Sequence, residues 1–195
     1  MQQEQKWMDP TPASLLLVFC ITLTLWAVFT GMIGMNAMPV IGSYFLTFGV
    51  LWLMAAAICF RMGDLLGGAI NGVFGITLGL ASGTSLLLGT YFTTQGATLD
   101  ARADGYFLLF TGIIFLIFTL CAGKRLGLIF WLLLSLGVGF ILLGLGMAGI
   151  LGLWAFPIGG WLMLVGGLIS LYTGGSMIIN FSFGRPVLPL GGPMY

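Results

Sequence analysis

Few side chains in this sequence could do acid–base, metal or nucleophilic chemistry. The chain has 195 residues, of which only 6% are charged, and it contains no histidine. Histidine is the usual general base and the commonest metal ligand, so its absence removes the most frequent route to both roles. The charged residues are Glu4, Lys6, Asp9, Arg61, Asp64, Asp100, Arg102, Asp104, Lys124, Arg125 and Arg185. They form no catalytic triad, phosphate-binding loop or metal-ligand cluster, so we predict a non-enzyme without cofactor or metal.

The polar side chains within the apolar stretches are neutral. Hydroxyls in helices often bond back to their own backbone carbonyls, so most of the serines and threonines need no function. Asn71 is different, because an amide in hydrocarbon needs hydrogen-bond partners. It is either a link between helices or a group that lines a path. A path lined by hydroxyls, an amide and aromatic rings would pass a small polar solute, or a small anion that exchanges some of its water for these donors.

The elements that must position these residues are membrane-spanning helices. The composition is 59% hydrophobic and the mean hydropathy is +1.15, whereas a soluble domain has roughly a quarter of its residues charged. Each crossing of a bilayer core about 30 Å thick takes about 20 apolar residues. The runs that reach this length are Ser14–Met35, Ile41–Phe60, Leu65–Phe92, Gly105–Ala122, Leu126–Leu151 and Ile158–Phe181. They are uniformly apolar, which predicts an all-α membrane protein with a bundle of six transmembrane helices rather than a barrel.

The ionisable residues avoid the middle of every predicted span, and their signs predict the orientation of the bundle. An even number of spans places both termini on one side. That side carries Lys6, Arg61, Lys124, Arg125 and Arg185, whereas the other side carries Arg102 alone. The positive-inside rule therefore predicts that both termini are cytoplasmic, in a plasma or inner membrane. A coupled pump usually keeps an ionisable group within the membrane, so the pattern favours channel-like passage.

We divide the chain into an N-terminal segment (1–13), a six-helix domain (14–182) and a C-terminal motif with its tail (183–195). The net charge of +1 provides no field that would attract nucleic acid, so the expected partners are the lipid bilayer and a small solute.

The sequence contains 32 glycines, many at helical spacing, as at Gly75, Gly79 and Gly83. Small residues four apart let helix backbones approach closely in lipid. Two interpretations stay open: the glycines serve packing alone, or the third helix lies at the centre of the bundle and lines a narrow path. Glycine-rich faces in excess of what six helices need also predict a homo-oligomer.

The end of the sequence carries its most specific motif. The stretch FGRPVLPLG resembles the C-terminal signature of the acetate uptake transporter family, in which Phe-Gly-Arg-x-Val-Leu-Pro-φ-Gly ends the sixth helix. The residues that match include Phe183, Gly184, Arg185, Leu188 and Pro189.

Two further stretches resemble the same family, and the similarity spans nearly the whole chain. The stretch DPTPASL, which begins at Asp9, lies where the family has Asn-Pro-Ala-Pro-Leu-Gly-Leu; Pro10 and Pro12 match, and Asp9 replaces asparagine. The stretch GVFGITL in the third span is similar to the family's Thr-Ser-Tyr-Gly-Ser-Phe-Trp, with Phe74 in place of tyrosine.

The resemblance implies a hexamer with one path per protomer that takes up acetate and related short monocarboxylates, with succinate as a substrate of some members. It also implies a hydrophobic constriction built from a phenylalanine on the first helix, the tyrosine on the third and a leucine on the fifth. In this sequence those positions fall on Val18, next to Phe19, on Phe74 and on Leu134.

The residues around Phe74 favour the same location for a gate. Asn71 and Thr77 lie three residues before and after it, which would place a polar group on either side of the ring along one α-helical face. We predict that Phe74 forms the narrowest point and that Asn71 and Thr77 are polar steps along the path.

The two terminal motifs also have a physical interpretation. Pro10 and Pro12 suit a helix start, because proline lacks the N–H that such a start leaves unpaired. Asp9 is expected to cap that helix. Pro186 restricts Arg185 and stops the sixth helix. Arg185 is then either an interfacial anchor or part of a funnel for anions.

Three hypotheses for function follow. The first is a membrane transporter or channel for small monocarboxylates, with acetate foremost and succinate as a further candidate. The second is a channel for a small neutral solute such as urea or undissociated acid. The third is a structural membrane protein in which the glycine stripes serve only packing.

Overall fold

The computed structural model describes residues 7–195, so the calls on Glu4 and Lys6 lie outside the described residues. In that range the chain is helical and contains no strand. Six helices are long and apolar enough to cross a membrane, which makes this a multi-pass membrane protein. The helices, numbered first to sixth in chain order, are Thr11–Phe29, Met38–Arg61, Leu65–Thr94, Arg102–Ala122, Gly127–Met147 and Ala155–Phe183. The predicted six-helix bundle is therefore confirmed for this part of the chain.

Several helix ends differ from the predicted boundaries, and glycine explains most of the differences. The first helix ends at Phe29 rather than near Met35, because Gly31 adopts φ +79°, a left-handed conformation that stops a helix. The fifth helix likewise ends before Gly149, whose φ is +74°. The hydropathy pattern predicts longer helices at both places, because the residues beyond these two glycines are still apolar.

The helices form a closed ring in the order first, sixth, fifth, fourth, third, second. The first and sixth, the fifth and sixth, the fourth and fifth, and the second and third helices pack along extensive interfaces. The second and third helices form a hairpin that meets the first and fourth helices along much thinner contacts. The bundle thus consists of a four-helix body and a two-helix hairpin, with two loose seams between them.

Glycines let the helices approach until their backbones touch. A Cβ added to Gly49 of the second helix would lie 2.7 Å from the Cα of Gly79 on the third. A Cβ on Gly144 of the fifth helix would lie 2.5 Å from the backbone nitrogen of Leu109 on the fourth. Most helical glycines in the described range have such close neighbours, and Gly89 and Gly175 are exceptions with open space. The glycines mainly serve packing within one chain.

Buried hydroxyls and one indole join the helices through hydrogen bonds. Ser170 of the sixth helix donates to the carbonyl of Leu15 on the first at 2.7 Å, and Ser135 of the fifth helix donates to Leu162 on the sixth at 2.8 Å. Such bonds satisfy polar groups that would be costly to leave unpaired in lipid. The two serine bonds lie within the four-helix body, whereas the Trp52 indole of the second helix donates to the carbonyl of Ser14 on the first at 3.3 Å and joins the hairpin to that body.

The third helix changes its winding near its middle. Residues Phe74–Ala81 form a π-helical segment between two α-helical parts. Ser82 donates its hydroxyl to the carbonyl of Thr77, five residues earlier, at 2.8 Å. A π-helix takes more residues per turn than an α-helix, so side chains after Phe74 are rotated away from the faces that α-helical spacing predicts. Segments of this kind occur frequently at functional sites.

Candidate permeation path

A cavity of about 90 Å³ opens at the end of the bundle that holds both described chain ends, and we name it the terminal cavity. It lies between the two-helix hairpin and the first, fourth and fifth helices; the sixth helix does not contribute. One probe-sized water needs about 10–15 Å³ on this measure, so the cavity can hold several waters or a small solute. Its lining includes Ser14, Val18, Trp52, Asp64, Ile70, Asn71, Phe74, Arg125, Leu132 and Leu133.

An ion pair stands at the mouth of the terminal cavity. Arg125, in the loop between the fourth and fifth helices, donates to the Asp64 carboxylate at 2.5 Å. Asp64 precedes the third helix and also accepts from the backbone N–H of Gly67 at 3.0 Å, as a helix cap. Burial by itself raises the pKa of the Asp64 carboxyl, but the Gly67 N–H and the Arg125 guanidinium together hold that pKa below its ordinary value. Asp64 is therefore ionised at neutral pH, and the pair is a salt bridge.

Asn71 lies deeper along the third helix and is 5% exposed. Its Nδ2 donates to the carbonyl of Gly67 at 2.9 Å, and Cys59 Sγ on the second helix lies 3.9 Å from the same nitrogen. No side chain or backbone group among residues 7–195 donates to Asn71 Oδ1. The Asn71 side chain lines the terminal cavity. The hydrogen bonds therefore make Asn71 a lining group more than a link between helices.

Two adjacent spaces occupy the opposite end of the bundle. The far cavity, about 70 Å³, is lined by residues such as Leu25, Phe45, Leu78, Ser82 and Ser85. Next to it lies an open space of about 700 Å³, which we name the vestibule and which faces the surface between the second, third and fourth helices. The residues that line both spaces are Met38, Ser85, Leu86 and Asp104.

Aromatic side chains fill the core between the terminal and far cavities, and no described residue lines both. Phe74 is 3% exposed, and its ring centroid lies 5.3 Å from that of Trp52 and 4.6 Å from that of Phe115. The ring of Phe140 lies 5.6 Å beyond Phe115. We name these four residues the aromatic cluster. Phe74 alone among them both borders a cavity and begins the π-helical segment, because Trp52 belongs to the regular second helix.

The structure brings together part of the predicted constriction. Val18, 4% exposed, lines the terminal cavity with Phe74, whereas Phe19 lies on the interface with the sixth helix, near Gly167. On the fifth helix the cavity is lined by Leu132 and Leu133, and Leu134 does not line it. The assignment from the resemblance thus falls one residue beyond the side chain that faces the space.

The predicted second polar step lies elsewhere. Thr77 lines none of the three spaces and donates its hydroxyl to the carbonyl of Val73 at 2.7 Å. The prediction assumed α-helical spacing, and the π-helical segment rotates Thr77 off that face. Leu78 takes the position on the far cavity, and Ser82 and Ser85 supply the hydroxyls there.

The N-terminal motif begins the first helix, but the N-cap is Pro10 and not the expected Asp9, which lies one residue earlier. Asp9 accepts the backbone N–H of Thr11 at 2.9 Å, Pro10 takes the N-cap position, and Pro12 lies in the first turn. The helix begins at Thr11, three residues before the predicted domain boundary. Its first turn packs on Gly174 of the sixth helix, where a Cβ would lie 2.9 Å from the carbonyl oxygen of Pro12.

The C-terminal motif folds back against the bundle. The sixth helix ends at Phe183, and Gly184 takes a left-handed conformation with φ +63°. Asn180 Oδ1 accepts from the backbone N–H groups of Val187 and Leu188, and its Nδ2 donates to the carbonyl of Leu188 at 2.8 Å. Tyr172 donates to the carbonyl of Pro189 at 2.8 Å. The motif is therefore a fixed turn that reverses the chain.

The tail after this turn reaches the loop that carries Arg125. Gly127 donates its N–H to the carbonyl of Gly192 at 2.9 Å, and Met194 donates to the carbonyl of Gly123 at 2.7 Å. Tyr195 donates to the carbonyl of Leu120 at 2.5 Å. The tail thus bridges the sixth, fifth and fourth helices beside the mouth. Arg185 itself is exposed and forms no ion pair among the described residues.

Sequence reasoning missed several residues of the path. The Asp64–Arg125 pair joins positions 61 residues apart, and nothing in the sequence couples them. Phe115 is one of many aromatic residues in apolar runs, so its neighbours could not be inferred. The Ser85–Asp104 hydrogen bond at 2.7 Å joins the third and fourth helices, and a polar side chain near each helix end was its sole signal.

These features define a class: a multi-pass membrane protein with six apolar helices and two internal cavities that an aromatic cluster separates. Among solved structures, the chain is similar to one described as the structure of the bacterial acetate channel SatP. The TM-score is 0.82 and the identity 22%, over 95% of this chain and 100% of that chain. No family model and no curated protein matches the sequence. The likeness confirms, at the level of the fold, the resemblance that the terminal motifs indicated, and the protein of that structure is described as a channel.

Proposed function

We propose that the protein is a membrane channel or transporter for small monocarboxylates, with acetate foremost and succinate as a further candidate. The observation that carries the proposal is the terminal cavity, which combines an arginine at its mouth, an amide halfway and a hydrophobic end at Phe74. The shared fold with a protein described as an acetate channel supports the same substrate class.

The groups of the terminal cavity suit a small carboxylate. Arg125 offers a cationic, forked donor at the mouth, although Asp64 competes for it. The methyl group of acetate would face the apolar lining, where Val18, Leu132 and Leu133 lie. The aromatic cluster beyond would force an anion to shed water, which makes the passage a hydrophobic gate.

Phe74 is the centre of the proposed constriction, with Val18 beside it and Leu133 in the position that the resemblance gave to Leu134. Phe74 lies ten residues beyond Asp64, or about 15 Å along the helix axis. This depth places the constriction near the middle of a bilayer core about 30 Å thick.

A second candidate is a channel for a neutral solute, such as urea or undissociated acid. It is favoured by the lining of the far end, where the carboxylate Asp104 borders both the far cavity and the vestibule. A carboxylate opposes the approach of an anion and leaves a neutral molecule unaffected. The two candidates differ in whether the transported species carries charge.

Flux into proteoliposomes under an imposed membrane potential separates these candidates. Labelled acetate and labelled urea are measured at a pH well above the pKa of a carboxylic acid, about 4–5, so that acetate is almost entirely anionic. We expect acetate flux above protein-free liposomes, and we expect its rate to rise when the lumen is made positive. Urea flux should be at the background rate.

Each other result has a definite meaning. Urea flux, or acetate flux that ignores the potential, would favour the neutral-solute channel. No flux of either solute through protein that is folded in the liposomes would support a structural role and contradict the proposal.

We further propose that both termini are cytoplasmic, in the plasma or inner membrane, and that the protein is a hexamer with one path per protomer. The hexamer follows from the family resemblance, because most helical glycines pack inside one chain. A cysteine placed at residue 195 should resist labelling from outside intact cells. A mass measurement in lipid nanodiscs should give six copies, and a strictly monomeric protein would contradict the assembly.

A further inference from the structure

Asp104 occupies the junction between the far cavity and the vestibule. It lies in the first turn of the fourth helix, and its side chain lines both spaces. The residue is half-buried, and its Oδ1 accepts the hydroxyl hydrogen of Ser85 on the third helix at 2.7 Å. This hydrogen bond fixes the carboxylate at the entrance rather than letting it swing into solvent. A solute that moved between the two spaces would therefore pass close to this group.

No cation neutralises Asp104 in the described structure. The other charged residues at this end of the bundle are Asp100 and Arg102, and they pair with each other at 2.6 Å. Asp100 also lines the vestibule, whereas Arg102 does not. The remaining groups shared by the two spaces are Met38, Leu86 and the Ser85 hydroxyl. The entrance therefore carries one net negative charge.

We propose that Asp104 is a specificity-determining residue that acts as a charge filter at the far entrance. It admits neutral solutes and small monoanions and rejects dianions such as a C4 dicarboxylate. This inference rests on the proposed function, since it requires that the path conducts carboxylates. It also decides between the two acids that the proposed function leaves open, in favour of acetate over succinate.

The filter acts through the number of charges on the solute. The Coulomb energy between the fixed carboxylate and a solute is proportional to the solute's charge, so a dianion meets twice the repulsion of a monoanion at the same distance. Partial burial strengthens this repulsion, because part of the screening water is replaced by protein. A filter that selected solutes by their size would not give this dependence on the charge of the solute.

Asp104→Asn tests the proposal directly. Asparagine keeps the shape and can still accept the Ser85 hydrogen bond through its amide oxygen, so it removes the charge alone. Labelled acetate and labelled succinate are measured in proteoliposomes near pH 7.5, where succinate is a dianion. We expect the ratio of succinate flux to acetate flux to rise about tenfold in this variant. Asp104→Glu, which keeps the charge, is the matched control and should leave the ratio close to that of the unmodified protein.

The unmodified protein provides a second test that does not depend on folding of a variant. Raising the ionic strength from about 0.1 M to about 1 M shortens the screening length from about 10 Å to about 3 Å. The succinate-to-acetate ratio should rise with salt in the unmodified protein and in Asp104→Glu, but hardly at all in Asp104→Asn.

The outcomes also separate this inference from the function on which it rests. Absence of acetate flux in the unmodified protein would overturn the proposed function. Acetate flux with a ratio that is insensitive to salt, or a ratio that Asp104→Asn leaves unchanged, would overturn the charge filter alone. If Asp104→Asn did not fold, the salt dependence of the unmodified protein would decide.

Discussion

The two ends of the path differ in how they hold charge. At the terminal cavity a carboxylate and a guanidinium neutralise each other, and the C-terminal tail packs on the loop that carries the guanidinium. At the far end a single carboxylate, Asp104, borders the entrance with a hydroxyl as its partner. The first end is narrow, with a cavity of about 90 Å³, whereas the vestibule at the second end has about 700 Å³.

Under the proposed function, this difference gives the two ends different roles. The wide entrance with its fixed negative charge would select by the charge of a solute that is still hydrated. The narrow cavity beside an arginine would instead bind a carboxylate that has lost part of its water. Because the aromatic cluster lies between the two ends, each would select independently.

The largest expected effect follows from removing that separation. Phe74→Ala should join the terminal and far cavities and raise acetate flux about tenfold, equivalent to a barrier lower by about 1.4 kcal/mol. Discrimination against bulkier acids should fall at the same time, because a ring no longer limits the cross-section. Flux of acetate and of a branched acid in proteoliposomes measures both effects.

Phe140→Ala is the matched control for this variant. Phe140 is equally buried and belongs to the aromatic cluster, but it lines neither cavity. Both variants lose a buried aromatic ring, which costs roughly 3–5 kcal/mol in soluble proteins. Unchanged flux and size selectivity in folded Phe74→Ala, or equal changes in both variants, would rule out the gate.

The proposed gate also shows how much of the fold and of the candidate site could be predicted from the sequence. The number of helices followed from the length of the apolar runs, because a bilayer fixes that length. Phe74 could be placed because its motif resembles a known one. The sequence could not distinguish Leu134 from its neighbour Leu133 as the residue that lines the cavity. Adjacent leucines on one helix face different sides, and hydropathy does not register the difference.

The Asp64–Arg125 ion pair and the π-helical winding of the third helix could not be predicted from the sequence, for physical reasons. The Asp64–Arg125 pair depends on how a loop and a helix start meet in space. Thr77 was assigned to the path by α-helical spacing, and the π-helical segment that moves it has no sequence signature strong enough to be predicted. The ion pair lies at the terminal mouth, and the π-helical segment lies in the middle of the third helix, between the two cavities.

A second variant tests whether the π-helical segment holds the two ends apart. Gly79→Ala would place a methyl group against the backbone of Gly49 on the second helix, where nothing flexible can yield. We expect a loss of about 1–3 kcal/mol of stability, typical of overpacking, together with leak of acetate through a displaced hairpin. Thermal unfolding in detergent and flux in proteoliposomes are the measurements.

Gly175→Ala on the sixth helix is the control, because a Cβ there meets nothing within 4 Å and the residue lines none of the three spaces. It should leave flux unchanged and stability equal or slightly higher, since alanine favours helix over glycine by about 1 kcal/mol. Equal behaviour of the two alanine variants would show that the close approach at Gly79 does not matter.

A smaller effect is expected from removing one charged partner of the Asp64–Arg125 pair at the mouth of the terminal cavity. Asp64→Asn keeps a good cap on the third helix and leaves Arg125 free to bind a carboxylate. The acetate concentration that gives half-maximal flux from that side should therefore fall by about twofold to fivefold. Arg125→Gln should have the opposite effect. Arg61→Gln is the control for loss of a cation, because Arg61 lies over the ring of Trp7 and does not line the cavity. A similar change in Arg61→Gln would point to the general surface potential instead.

The smallest expected effect is the dependence of stability on pH through Asp64. Its folded-state pKa lies below the ordinary value of 3.8, because the Gly67 N–H and Arg125 outweigh the effect of burial. A carboxyl with a lowered pKa contributes stability above the unfolded-state pKa and loses it as the pH falls through the folded-state pKa. The difference in melting temperature between the unmodified protein and Asp64→Asn should therefore stay constant from pH 7 to about pH 4 and shrink below that.

Arg125 is 53% exposed, so screening limits the contribution of the ion pair to under about 1 kcal/mol. If the unmodified protein instead gained stability relative to Asp64→Asn as the pH fell from 6 to 5, the folded-state pKa of Asp64 would lie above its ordinary value, and burial would outweigh the Gly67 N–H and the Arg125 guanidinium at the terminal mouth.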